Sequence, residues 1–217
     1  MNRLGIEPTL LIFRIVTLLI SFSFHEFSHA FVADKFSDPT PRQDGRLTLN
    51  PVRHLDIVGS IMLIVTGFGW AKPVRINPAI IERKSKAGLM IVSFSGPFSN
   101  LLLAITAGLL FRLMQTESLF QTSQTLYFFG SFLVQFIYIN LSLMVFNLLP
   151  FAPLDGHEVF GFFVPQRFKP LWDRFQNYGM MILLLGFLIL PYFRIHIFSS
   201  LLSPIIAGLF RLITGGN

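Results

Sequence analysis

The sequence contains no cysteine, and only 13% of its 217 residues are charged. The first absence excludes disulfides and thiolate metal sites, so any metal here needs nitrogen and oxygen ligands. The second fits a soluble domain poorly, because water-facing proteins draw about a quarter of their residues from Asp, Glu, Lys and Arg. No internal repeat, low-complexity tract or soluble appendage of useful size stands out. The first apolar run continues into a charged motif without a small-x-small cleavage site, so it is expected to be retained rather than removed as a secretory signal.

What the chain does have is apolar residues: 53% are hydrophobic and the mean hydropathy is +0.63. They gather into runs at residues 9–24, 87–113, 126–151, 180–193 and 195–212. A crossing helix needs about 20 such residues. The expectation is an all-α polytopic membrane protein with about five to six transmembrane helices.

The net charge of +6 does not point to nucleic acid, because the basic residues form no stripe. Lys35, Arg42, Arg46, Arg53, Lys72, Arg75, Arg83, Lys84 and Lys86 fall between the first and second long runs, and Arg167, Lys169 and Arg174 follow residue 151. Residues 114–125 carry Glu117 and no Lys or Arg. The positive-inside rule puts the first two loops in the cytoplasm and the third outside, with the N-terminus outside and the C-terminus inside.

Residues 57–69 are apolar but short and glycine-rich, and crossing there would split the basic segments between two membrane faces. A re-entrant or β-hairpin element is expected instead. The alternation in Gly45-Arg46-Leu47-Thr48-Leu49-Asn50 allows a short strand. Irregular backbone at membrane depth survives only against protein or a wet cavity, so residues 46–77 are expected to line a site.

The sharpest signal is His25-Glu26-Phe27-Ser28-His29 in the first span. Positions i and i+4 put both imidazoles on one helix face, where they can share a metal. Glu26 lies about 100° around the helix, where it can take a proton from water. Two histidines and a glutamate inside a span cost several kcal/mol unless paired, hydrated or metal-bound. A polar helix–helix contact is the blander reading. A catalytic zinc takes three protein ligands, so a third donor is needed. His54, Asp56, Asp155, His157, Glu158 and His196 are the candidates. Asp155 is chosen because it sits in a Pro- and Gly-broken stretch directly after a span, residues 147–156, where its carboxylate can face a metal on the side of His29.

His-Glu-x-x-His in a first span, followed by Asn-x-x-Pro-x-x-Pro-Leu-Asp-Gly at residues 147–156, resembles the site-2 intramembrane metalloprotease family. Residues 45–51, 69–74 and 95–100 resemble that family's hairpin and middle-span motifs, and the likeness covers roughly residues 25–158. It implies one zinc per chain held by His25, His29 and Asp155, with Glu26 as general base and Asn147 assisting at the reacting carbonyl. Read from physics alone, Asn147 could equally bond a neighbouring helix. Asn100 reads as satisfying backbone freed by Pro97 or packing a helix interface. His157 stands where the family often has a small residue, and could compete as a ligand or donate to Asp155.

The expectation is a single membrane-embedded domain over residues 1–217. Its catalytic core is about 9–160 and a C-terminal pair of helices spans about 176–214. It would hydrolyse peptide bonds of transmembrane or membrane-associated substrates in contact with lipid. Small size resembles a prokaryotic member of the plasma membrane, with the site near the cytoplasmic side. The rival from another class is a membrane metal transporter, which has little need of a non-ligand carboxylate such as Glu26.

Overall fold

The computed structural model describes residues 8–59, 70–116 and 123–216. The first helix, α1 (Pro8–Lys35), opens on a proline whose missing N–H costs nothing in a first turn. Its sides are sorted inversely to those of a soluble helix. Thr17, Ser21, Ser23, Ala30 and Ala33 are buried, while Leu10, Ile12, Val16 and Phe31 are exposed. Small residues let helix backbones approach where lipid supplies no hydrophobic drive, and the large side chains are left to face lipid. The helix stops at a Schellman turn: Asp38 N–H bonds Ala33 C=O and Ser37 N–H bonds Asp34 C=O, with Ser37 left-handed at φ 67.

A polar strap follows, containing the short α2 (Thr40–Gln43), a 3₁₀ turn (Pro51–Arg53) and the extended residues 72–77. Next come α3 (Pro78–Lys84) and α4 (Gly88–Thr116), which carries Pro97 inside it. α5 (Gln124–Asn147) is started by Ser123, whose hydroxyl accepts the Leu126 N–H. It ends three residues before Pro150, so the last part of the expected 126–151 span is turn rather than helix. α6 (Gly156–Phe163) and α7 (Lys169–Gln176) are short. α8 (Gly179–Leu184) runs on through a π turn (Leu185–Ile189) and a 3₁₀ turn (Leu190–Phe193), and α9 (Ile197–Thr214) is closed by Gly215 at φ 77.

Four helices are long and apolar enough to cross a membrane: Thr9–Lys35, Gly88–Gln115, Gln124–Asn147 and Ile197–Thr214. The pair Gln166–Gln176 and Gly179–Phe193, bent by 52°, makes a fifth if it counts as one span. This is an all-α membrane protein, with four to five candidate spans among the described residues against the five to six expected. The run 180–193, expected as one span, is broken into α, π and 3₁₀ pieces. Pro191 has no N–H to extend a helix, and the π turn brings Gly186 against the Phe198 ring.

Residues 45–50 do not form the short strand that their alternation allowed; they make a turn and bends. The reason is Arg46, whose side chain turns inward to collect carbonyls and so curls the chain around itself. Of the hairpin, the described residues show one isolated antiparallel bridge, Leu55 with Ala71. Most of the proposed re-entrant element, residues 60–69, and Glu117 of the outer loop lie outside the described residues.

α4 packs along α1 and α5, α9 lies on α4 and α5, and α6 abuts α4. The main core joins Ala104, Leu133, Ile137, Leu141, Val145, Leu183, Phe198 and Leu202 from α4, α5, α8 and α9. A second cluster of Ala33, Ile81 and Val92 sits where α1, α3 and α4 meet, immediately beside the histidine motif.

Candidate metal centre

His25 and His29 share one face of α1, one turn apart, with ring centroids 4.7 Å apart. Each ring is held by its Nδ1. His25 Nδ1 donates to Asn100 Oδ1 at 2.7 Å, and His29 Nδ1 donates to the Val92 carbonyl at 2.8 Å. With Nδ1 protonated in both, the lone pairs sit on the two Nε2 atoms, which face each other at 3.1 Å.

The third group comes from the turn after α5. Asp155 Oδ2 is 3.1 Å from His25 Nε2 and Oδ1 is 3.3 Å from His29 Nε2. Oδ2 is buried without a hydrogen-bond donor. Three donor atoms, all within 4.8 Å of one another, therefore point lone pairs at a common space. Such an arrangement is repulsive unless a positive charge sits among them. Two imidazoles and a carboxylate are also the donor set of catalytic zinc, with a position left for water. The residues fit the metal.

Two glycines make room. A Cβ on Gly96 would fall within 3 Å of both imidazoles, so α4 can approach α1 this closely only at a residue without a side chain. A Cβ on Gly156 would meet the Leu148 and Leu149 carbonyls, so the tight turn that places Asp155 needs glycine next to it. Gln176 completes that turn from the C-terminal half: its Oε1 accepts the Ala152 N–H at 2.7 Å and its Nε2 donates to the Pro150 carbonyl at 3.1 Å.

Glu26 is buried beside the cluster, and its Oε2 accepts the Val74 N–H at 2.9 Å. Val74 belongs to the extended part of the strap, which side chains hold at successive points. Arg46, buried, donates to the carbonyls of Arg53 (2.5 Å), Lys72 (3.1 Å) and Pro73 (3.1 Å) and lies 3.4 Å from His54 Nδ1. His54 Nε2 donates to the Thr48 carbonyl at 2.7 Å. Asp38, also buried, accepts the Asn77 N–H at 2.6 Å. On the outer side Arg75 pairs with Asp44 at 2.6 Å, and the guanidinium holds the Asp44 carboxyl below the usual carboxylate range. Of residues 46–77, expected to line a site, Val74 brings its backbone N–H to Glu26, and residues 60–69 lie outside the described residues.

Other expected residues fall elsewhere. Asn147 Nδ2 donates to the Leu143 carbonyl of its own helix at 2.9 Å, outside the cluster. His157 lies 3.6 Å from the Glu158 carboxylate and is not part of the cluster. Asn100, read from sequence as satisfying backbone freed by Pro97 or packing a helix interface, is buried between α1, α4 and α5, where it donates to Asn140 Oδ1, and it also holds a histidine ring. Asn140 and Gln176 carried no sequence signal, since their partners lie 24–40 residues away.

The profile of peptidase family M50 matches residues 13–190. The chain belongs to that family, the site-2 proteases, and zinc is the cofactor the family implies. It is 40% identical over 192 residues to YwhC of Bacillus subtilis (strain 168), which is named as a zinc metalloprotease, covering 86% of this chain and 85% of that one. Two proteins named Rip2, also as zinc metalloproteases, are 32% identical. The one from Mycolicibacterium smegmatis matches over 145 residues and the one from Mycobacterium tuberculosis (strain H37Rv) over 142, in each case 64% of this chain and 52% of theirs. No solved structure matches the chain.

Proposed function

We propose that the chain is a zinc-dependent intramembrane endopeptidase in which His25, His29 and Asp155 hold the metal and Glu26 is the general base. The observation that carries this is the convergence of three lone-pair donors within 4.8 Å, with a buried non-ligand carboxylate next to them. Zinc bound there supplies Lewis acidity, lowering the pKa of water and polarising the scissile carbonyl. Glu26 takes the proton of the attacking water and later delivers it to the leaving amine, so one water is consumed and one C–N bond broken. Asn147 has a second amide N–H besides the one given to Leu143, and after a rotamer change it donates to the oxyanion.

The substrate is a transmembrane or membrane-associated protein. A helical peptide bond is shielded by its own hydrogen bonds, so the substrate unwinds, and an extended segment adds alongside residues 70–77. The loop charges support a site near the cytoplasmic side, the small size suits a member of a prokaryotic plasma membrane, and residues 1–217 act as one domain in which Gln176 braces the Asp155 turn.

The deciding experiment measures zinc content and cleavage of a single-span test substrate in liposomes, for wild type beside Glu26→Gln. About one zinc in both proteins with cleavage in wild type alone supports the proposal. Metal in both and cleavage in neither, over a broad substrate panel, returns the lead to a metal transporter. An Asp155→Ala protein that kept its zinc while His157→Ala lost it would refute the ligand assignment.

A further inference from the structure

A chain of amides crosses three helices and ends on the metal cluster. Asn140 Nδ2 on α5 donates to the Phe136 carbonyl at 2.9 Å. Asn140 Oδ1 accepts Asn100 Nδ2 of α4 at 3.0 Å. Asn100 Oδ1 accepts His25 Nδ1 of α1 at 2.7 Å. Both asparagines are 0% exposed. An amide can be turned end for end, so this chain would have no direction unless something at one end could only donate or only accept. The Phe136 carbonyl is that end: it can only accept, and the Ser21 carbonyl, which also meets the chain, is a long 3.5 Å from Asn100 Nδ2 and orients that amide only weakly. It makes Asn140 present NH₂ to Phe136 and oxygen to Asn100, which makes Asn100 present NH₂ to Asn140 and oxygen to His25. His25 must then carry its proton on Nδ1, and the lone pair is left on Nε2, facing His29 and Asp155.

We propose that Asn140 is a positioning residue of the metal site, setting the orientation of the Asn100 amide and through it the tautomer and ring angle of His25. This rests on the reading that His25 is a zinc ligand. Partners that orient a ligating histidine typically change metal affinity by about 10–100-fold when removed. An asparagine serving only as glue between helices would instead change stability alone.

The test is zinc affinity by competition with a chromophoric chelator in detergent, with the visible spectrum of the cobalt-substituted protein as a second readout. Asn140→Leu is expected to bind zinc about 10-fold more weakly with an altered cobalt spectrum, and Asn100→Leu to lose about as much or more. The double variant should lose no more than Asn100→Leu, because both act through one ring. If Asn140→Leu does not fold, Asn140→Ser serves: its hydroxyl can return to the Phe136 carbonyl, as Ser142 does to Tyr138 at 2.8 Å, leaving the Asn100 NH₂ with only the long contact to the Ser21 carbonyl. Asn140→Asp, neutral when protonated at this depth, can donate to Phe136 and accept from Asn100, and should restore affinity and spectrum. Wild-type affinity and spectrum in both the Leu and Ser variants would overturn the proposal. A His25→Ala protein with undiminished affinity would instead remove the ligand reading beneath it, which separates the two failures.

Discussion

The two sides of the metal centre are built on opposite principles. On one side stand α1, α4 and α5, whose backbones satisfy most of their own hydrogen bonds, so that His25, His29, Asn100 and Asn140 are free to bond one another or a helix carbonyl, as His29 does at Val92 and Asn140 at Phe136. On the other side lies the strap, whose backbone is irregular and supplies little of its own pairing. There Arg46, Asp38, His54 and Glu26 spend their polar atoms on backbone N–H and C=O groups. The difference teaches where each kind of functional group can live. A metal needs ligands held by rigid neighbours, which regular helices allow, whereas an extended segment close to the active site survives only by recruiting side chains.

The comparison breaks most visibly on the helical side. Gly96→Val would put side-chain atoms into the space of both imidazoles, and overpacking of this kind costs about 1–3 kcal/mol even where neighbours can shift. Here the neighbours are ligands, so zinc content is expected to fall from about one per chain to near none, with cleavage lost; metal analysis of the purified variant decides it. On the strap side Arg46→Ala leaves the carbonyls of Arg53, Lys72 and Pro73 without their donor; these residues are exposed, so water replaces part of the lost bonding and the cost per group falls below the roughly 1–3 kcal/mol of a buried one. Zinc should stay, because no ligand is touched, while kcat drops at least about 10-fold as Val74 and Glu26 lose their alignment. Loss of zinc in Arg46→Ala would show that the two sides are not separable.

Gln176→Leu sharpens the comparison from the C-terminal half. It strands Ala152 N–H and Pro150 C=O in the turn that carries Asp155, and zinc affinity should weaken by about 10-fold, an effect readable in a chelator titration. The smallest effect belongs to Asp44 and Arg75, an exposed pair on the outer face of the strap. Its depressed carboxyl pKa means that the folded state holds the charged form more firmly than the unfolded chain does. The contribution is present at neutral pH and is lost as pH falls through the folded-state value, where the carboxyl protonates. Melting temperatures of wild type and Asp44→Asn should differ slightly at pH 7, less in high salt, and converge in acid.

Much of this architecture was legible in the order of residues. The long apolar runs returned as helices, because lipid leaves the backbone no alternative to internal pairing. The histidine pair was legible because helical periodicity is local: residues four apart share a face whatever the rest of the chain does. The Asp155 turn was legible in part, since Pro150, Pro153 and Gly156 announce a break although they do not say what braces it. The strand over residues 45–50 misled because alternation describes side-chain polarity, and Arg46 used its polarity inward. The end of α1 at Ser37 was hidden as well, since a left-handed serine bears no glycine signature.

By itself, then, the sequence determined the solvent, the helical class and the two-histidine, one-glutamate motif, all of which rest on composition or on spacing within one turn. Only the tertiary structure brought the Asp155 carboxylate, one of six candidates in the sequence, against those histidines, and only it shows that Val74 holds Glu26 and that Asn100 and Asn140 set the direction of His25. Those contacts join groups 40 to 130 residues apart across separate elements, and their geometry arises only when the helices pack against one another.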